Sequence, residues 1–220
     1  ALEKKVLTTA DTIIVTSKTT KTEFQAITNQ PIEVITNGYD VENIPRQKLD
    51  EKFTMSHIGS FLSDRNPAIL WEVLSELVSE NVNFASRFQL NLIGKVSQEI
   101  IDSISKFNLS SYCNLVGYVS HNEAIAFQKK SQVLLLIEIN SPETKSIIPG
   151  KLFEYMVSER PIIAIGPKDS DFAEIITTTN TGVFFTYDEK EKLKKTILAN
   201  FELYLENKLQ VYPVGLQQYS

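Results

Sequence analysis

Apolar and polar positions alternate along the chain in two patterns. Short runs rich in Val, Ile, Leu and Phe at 12–16, 32–35, 53–58, 89–93, 113–116, 133–137, 161–165 and 183–185 are bounded by Gly, Asn or Ser, as expected of strands buried on both faces. Between them, the stretches 68–80, 98–107, 122–130, 151–158, 171–177 and 188–204 carry apolar residues at helical spacing with polar residues opposite. This rhythm predicts βαβ units and an α/β fold, a Rossmann-like doubly wound parallel sheet. Such sheets bind ligands beyond the carboxyl ends of their strands. No internal repeat or low-complexity tract interrupts the pattern. Residues 1–40 hold two strands and the helices around them, too little for a domain, and the polar stretch 40–52 with Pro45 reads as a connector. Asn37-Gly38 before it is, on local grounds, a hairpin-turn signal.

The most informative local chemistry begins at Pro149-Gly150-Lys151. Proline sets φ for a first helical turn, and glycine lets backbone approach a ligand closely. A helix starting here would offer unpaired amides and a positive dipole end to an anion, worth about 0.3–1 kcal/mol, with Lys151 adding a charge. Leu152, Phe153, Met156 and Val157 read as its apolar stripe, which leaves Lys151, Glu154 and Ser158 on the other side. Glu154 could then take the hydroxyls of a ribose. An ordinary amphipathic helix with a solvated Lys151/Glu154 pair explains the spacing equally well.

Composition narrows the classes. The 220 residues carry a net charge of −5 and no basic stripe, which argues against nucleic acid as a partner. No apolar run approaches the roughly 18 residues of a membrane span. The single cysteine, Cys113, falls in what reads as a buried strand and can form no internal disulfide; it points to a reducing, cytoplasmic setting. With one Cys and two His, no structural metal site is expected. His57 reads as an interior or edge residue, His121 as part of a helix cap, and neither belongs to a triad.

The run PGKLFEYMVSERPIIAI at 149–165 resembles the PGKLFEYLASGKPILA signature of family 4 glycosyltransferases. VITNGYD at 34–40, ADTIIVTS at 10–17, LVGYVSH at 115–121, SQVLLL at 131–136, and GPKDSD at 166–171 followed by AEII at 173–176 are similar to other blocks of that family in the same order. The resemblance covers nearly the whole chain. It implies a GT-B enzyme of two Rossmann-like domains. Residues 1–40 would be the end of a missing N-terminal acceptor domain, 41–205 the C-terminal donor domain, and 206–220 a truncated crossover tail. Asn37-Gly38 would be the hinge.

The same resemblance implies a donor site. The diphosphate would meet Gly59, Ser60, Arg65 and Lys151, with the amides of Gly59 and Ser60 approaching it. The transferred sugar and phosphate would meet the backbone of Ser146, Ile147, Ile148, Pro149 and Gly150. Glu154 would hold the ribose, and Val116, Gly117 and Tyr118 the base through exposed main chain. Without the resemblance, Arg65 reads as a solvent residue in a helix-start loop capped by Ser63 or Asp64, and Tyr118 as a rim aromatic. The family motif has two glutamates, and Ser146 stands where the first belongs, so the amides of Ser146, Ile147 and Ile148 would replace it. No residue is assigned as the catalytic group.

The implied function is retaining, metal-independent hexosyl transfer, with no cofactor, from a nucleoside diphosphate sugar to a saccharide, lipid-linked or glycoconjugate acceptor held by the missing domain. The isolated chain would transfer little. The full-length protein leaves room for a peripheral contact with the cytoplasmic face of a membrane. A nonhydrolysing sugar-nucleotide epimerase shares the architecture, but no convincing acid/base set is present. A noncatalytic nucleotide-sugar binding module is the reading from a different class.

Overall fold

The computed structural model describes residues 2–40 and 47–220. Pro45 and the rest of 41–46 in the expected connector lie outside the described residues. The chain opens with a small unit of α1 (Leu2–Thr9), β1 (Ile13–Val15), α2 (Lys18–Gln25) and β2 (Ile32–Val34). β1 and β2 pair in parallel, Ile13 opposite Ile32, over a core of Leu7, Ile13, Val15 and Ile32. Asn37-Gly38 is therefore no hairpin turn, because the strands before and after it belong to different sheets.

The larger unit comprises β3 (Phe53–Ile58), α3 (Ala68–Glu80), α4 (Val82–Arg87), β4 (Phe88–Ile93), α5 (Gln98–Lys106), β5 (Cys113–Gly117), α6 (His121–Lys130), β6 (Val133–Ile137), α7 (Lys151–Val157), β7 (Ile162–Ile165), α8 (Asp171–Thr178), β8 (Gly182–Phe185) and α9 (Lys190–Leu205). Its strands form one six-stranded sheet in the order β5-β4-β3-β6-β7-β8, every pair parallel. The apolar runs predicted these strands to within a residue or two. Helix α4 was not foreseen: Asn81 ends α3 and at once caps α4, accepting the Phe84 amide at 3.0 Å.

Both faces of the sheet are covered. Val133, Leu135 and Ile137 face a core with Trp71, Leu74, Ile100 and Phe201. Leu134 and Leu136 face another with Leu152, Phe153 and Phe172. Burying each such side chain contributes roughly 1.5–3 kcal/mol, which is why β6 reads as an unbroken apolar run. Cys113 is a correction: it sits half-buried on the edge strand β5, and burial still pushes its thiol up to about 11.

β3 and β6 are neighbours, yet the chain leaves them for opposite edges of the sheet. Loops after the two strands must diverge, and a crevice opens at this switch point. After α9 the chain runs back across the base. Buried Arg160 donates to Ser131 O, Gln132 O and Leu209 O, Val214 N–H to Thr179 O, and Tyr39 N–H to Tyr219 O at 2.9 Å.

The two units touch through α2 and α8. Asp171 accepts the Thr19 amide and hydroxyl, each at 3.0 Å, and Lys18 pairs with Glu174 at 2.6 Å. Among the described residues no helix is long and apolar enough to cross a membrane.

Candidate functional site

Three glycines end adjacent strands at the carboxyl edge: Gly59, Gly94 and Gly117, with φ of 114°, 116° and 80°. Their backbone steps across the edge, Gly59 N–H to Ile93 O at 2.8 Å and Gly94 N–H to Gly117 O at 2.7 Å. A Cβ on Gly94 would lie 2.6 Å from Gly59 O, so this floor requires glycine. One expectation fails here: the Gly59 amide is spent on Ile93 O and is not available to an anion. The Gly117 carbonyl accepts from Gly94 and keeps a second lone pair. Gly94 itself carried no signal in the sequence beyond a lone glycine after a strand.

Over this floor the cationic side chains converge. Lys151 Nζ stands 3.2 Å from His57 Nε2 and 3.3 Å from where a Gly59 Cβ would be. An ammonium can only donate, so Nε2 accepts in this contact. His57 is fully buried and stacks on Phe61 at 4.2 Å; burial, then Lys151, holds its pKa well below the usual value, and the ring is neutral. Burial, then the Arg65 guanidinium, lowers the Lys151 pKa to about 8, with Glu138 and Glu154 pulling it back up. Arg65 leaves a short turn, Ser63–Arg65, and Ser60 is exposed at the start of the same loop. Neither Ser63 nor Asp64 caps α3, which starts after Pro67.

Arg65 is not a solvent residue. Its Nε meets Glu138 Oε1 at 3.0 Å, and the Glu138 side chain is 2% exposed. The same oxygen accepts the Ile139 amide at 3.0 Å. Glu138 N–H donates to Ile165 O, and Tyr187 Oη donates to Glu138 O at 2.7 Å. The sequence reading missed Glu138. Its one signal is a carboxylate directly after five apolar residues, at the switch-point end of β6.

Helix α7 begins in a turn whose amides are partly paired. It has seven residues, and its early amides are already bonded, Leu152 N–H to Pro149 O at 2.9 Å and Phe153 N–H to Gly150 O at 3.3 Å. The Ile147 amide donates to Thr144 O. Of the amides expected to meet the sugar and phosphate, that of Ile147 is therefore already taken, as are those of Leu152 and Phe153 in the first turn. Ser146 lies in the preceding turn, and Ile148 packs on the core. At Gly150 a Cβ would meet nothing within 4 Å, so space opens before the helix.

The buried face of α7 is Leu152, Phe153, Tyr155 and Met156, with Val157 only partly covered. Ser158 is buried too, its hydroxyl donating to Tyr155 O. Tyr155 Oη accepts Ile58 N–H at 2.9 Å and donates to Ile58 O at 3.3 Å. The helix is thus fastened to the end of β3, which holds Lys151 over Gly59.

Glu154, one turn further, looks onto a cavity of about 270 Å³ whose lining includes Gly38, Tyr39, Asp40, His121 and Gln128. Gln128 Nε2 donates to its Oε2 at 2.8 Å, orienting the carboxylate. His121 opens α6 behind Ser120, which forms a capping box with Glu123. Val116 packs against the core, whereas Tyr118 is 92% exposed at the rim. Lys151, Arg65 and Gly59 are brought together; Glu154 occupies the adjoining space.

No family model matches this chain, and no curated protein matches it. Solved structures do. HepE from Anabaena, in complex with UDP, aligns with TM-score 0.68 and 16% identity over 91% of this chain and 56% of its own. Sucrose-phosphate synthase from Thermosynechococcus elongatus gives 0.67 and 18% over 94% and 53%. WaaG, a glycosyltransferase involved in lipopolysaccharide biosynthesis, gives 0.68 and 12% over 89% and 55%. At such identities the likeness is one of fold, and the fold is the Rossmann-like domain of the GT-B glycosyltransferases. The chain spans about half the length of these proteins.

Proposed function

We propose that this chain is the donor-binding part of a family 4 glycosyltransferase, which transfers a hexose from a nucleoside diphosphate sugar to a saccharide or glycoconjugate acceptor with retention and without a metal. The observation that carries the reading is the convergence of Lys151 and Arg65 over a glycine floor at the switch point, with an oriented carboxylate, Glu154, one helical turn away. Two cations suit a diphosphate whose charge grows as the sugar leaves. Glu154 would take the ribose hydroxyls through Oε1, since Gln128 occupies Oε2. The base would lie toward Val116, Gly117 and Tyr118. The UDP held by HepE supports a uridine nucleotide as the first candidate.

Residues 1–40 would belong to the acceptor domain, and the full-length protein would act at the cytoplasmic face of a membrane. Calorimetric titration of the chain with UDP, GDP, ADP and their sugar conjugates, with and without Mg²⁺, tests the reading. One nucleotide should bind independently of metal, and Glu154→Ala should weaken it roughly tenfold to hundredfold, the loss of about 1.5–3 kcal/mol in charged hydrogen bonds. Unchanged affinity in that variant would remove Glu154 from the site.

A further inference from the structure

We propose that Glu138 is a positioning residue: its buried carboxylate holds Arg65 by Nε, so that both Nη groups are presented to the donor diphosphate. This rests on the donor-domain reading above. Arg65 has five N–H donors in a planar fork, and recognition of phosphate oxygens uses the Nη edge. Among the described residues, Glu138 occupies Nε and no hydrogen-bond partner meets the Nη groups. The Arg65 side chain is 28% exposed while Glu138 is 2% exposed, so the pair is anchored at its buried end and open at the other.

The anchor is itself rigid. Glu138 is fixed at its N–H by Ile165, at its carbonyl by Tyr187 and at its carboxylate by the Ile139 amide. A guanidinium held at Nε against such a group has a fixed plane before any ligand arrives, which removes an ordering cost from binding.

The carboxylate has a second effect. Lys151 is faced by His57 from β3, Arg65 from the turn after it, Glu138 from the end of β6 and Glu154 from its own helix. His57 is neutral, so Glu138, ahead of Glu154, offsets Arg65 beside Lys151. Without it, Lys151 gives up its proton at lower pH.

The test measures binding of UDP and of inorganic pyrophosphate to wild type, Glu138→Ala and Glu138→Gln between pH 6.5 and 9, with thermal unfolding of each. Glu138→Ala should weaken both probes about tenfold. Glu138→Gln keeps an oxygen for Arg65 Nε and removes the charge. It should bind at pH 6.5 at least as tightly as wild type, and its affinity should fall away at lower pH than the wild-type affinity does. Wild-type affinity in Glu138→Ala overturns the proposal, as does a wild-type pH profile in Glu138→Gln. If Glu138→Ala fails to fold, the Glu138→Gln profile decides. A wild-type protein that binds neither probe would instead overturn the donor-domain reading, and this inference with it.

Discussion

The carboxyl edge of the sheet and the outer face of α3 and α9 are both laced with opposite charges, yet they are built on opposite principles. On the outer face Lys190 meets Glu72 and Glu76, and Lys194 meets Glu76 and Glu80, an ion-pair network on partly exposed side chains. Such pairs are screened and individually weak. At the sheet edge Arg65 meets a carboxylate that is 2% exposed, and Lys151 is pushed to about 8 by burial and by Arg65. Charges held in this way are costly to the fold. The difference teaches that the edge is organised around something other than stability, and the donor diphosphate proposed for this site would supply the reason.

Four measurements sharpen or break that comparison. The largest effect is expected from Arg65→Met, which strands the buried Glu138 carboxylate and should cost about 3–5 kcal/mol in urea unfolding. A loss near that of a surface pair would erase the distinction. Next, Gly94→Ala should destabilise by about 1–3 kcal/mol, because its Cβ would sit 2.6 Å from Gly59 O at a φ of 116°; unchanged stability would mean that the glycine floor can yield.

Third comes pH. Lys151 is a base whose pKa in the fold is about 8 against 10.5 for an unperturbed lysine. The unfolded chain therefore binds the proton more tightly between these values, and stability should rise with pH across that window, fully penalised below pH 8. Allowing for partial exposure, wild type should gain about 1–2 kcal/mol there relative to Lys151→Met. Parallel stability profiles would show that Lys151 is well solvated. Smallest, Lys194→Ala should cost no more than about 1 kcal/mol, and 0.5 M salt should reduce even that; a larger, salt-resistant loss would place the outer network in the same class as the edge.

How far the sequence carried this picture follows from what each residue answers to. Strands such as β6 were legible because five consecutive buried positions leave no room for polar residues. Helix α3 was legible from its period. Asn81 hid α4 by closing one helix and opening the next with no spacer. Lys151, Arg65 and Gly59 could be grouped only through resemblance, since residues far apart in the chain meet solely because β3 and β6 are neighbours. Glu138 was illegible for the same reason: its partner lies 73 residues away, and a lone carboxylate after a strand has no local meaning. The α7 stripe was misread at Tyr155, whose hydroxyl is buried because Ile58 satisfies it, a fact of packing that no period contains.

Asp171 opens α8 and also holds the first turn of α2. Helix α2 has eight residues and buries none of them, well short of the roughly 12–15 at which an isolated helix becomes marginal in water. Phe24 packs it on the core of its own unit and Ser17 caps it, so the grip of Asp171 and Glu174 is an increment on top of that. In time rather than in space, the amides of Lys18–Gln25 should act as a clock for separation of the two units, exchanging faster with solvent whenever that grip is released.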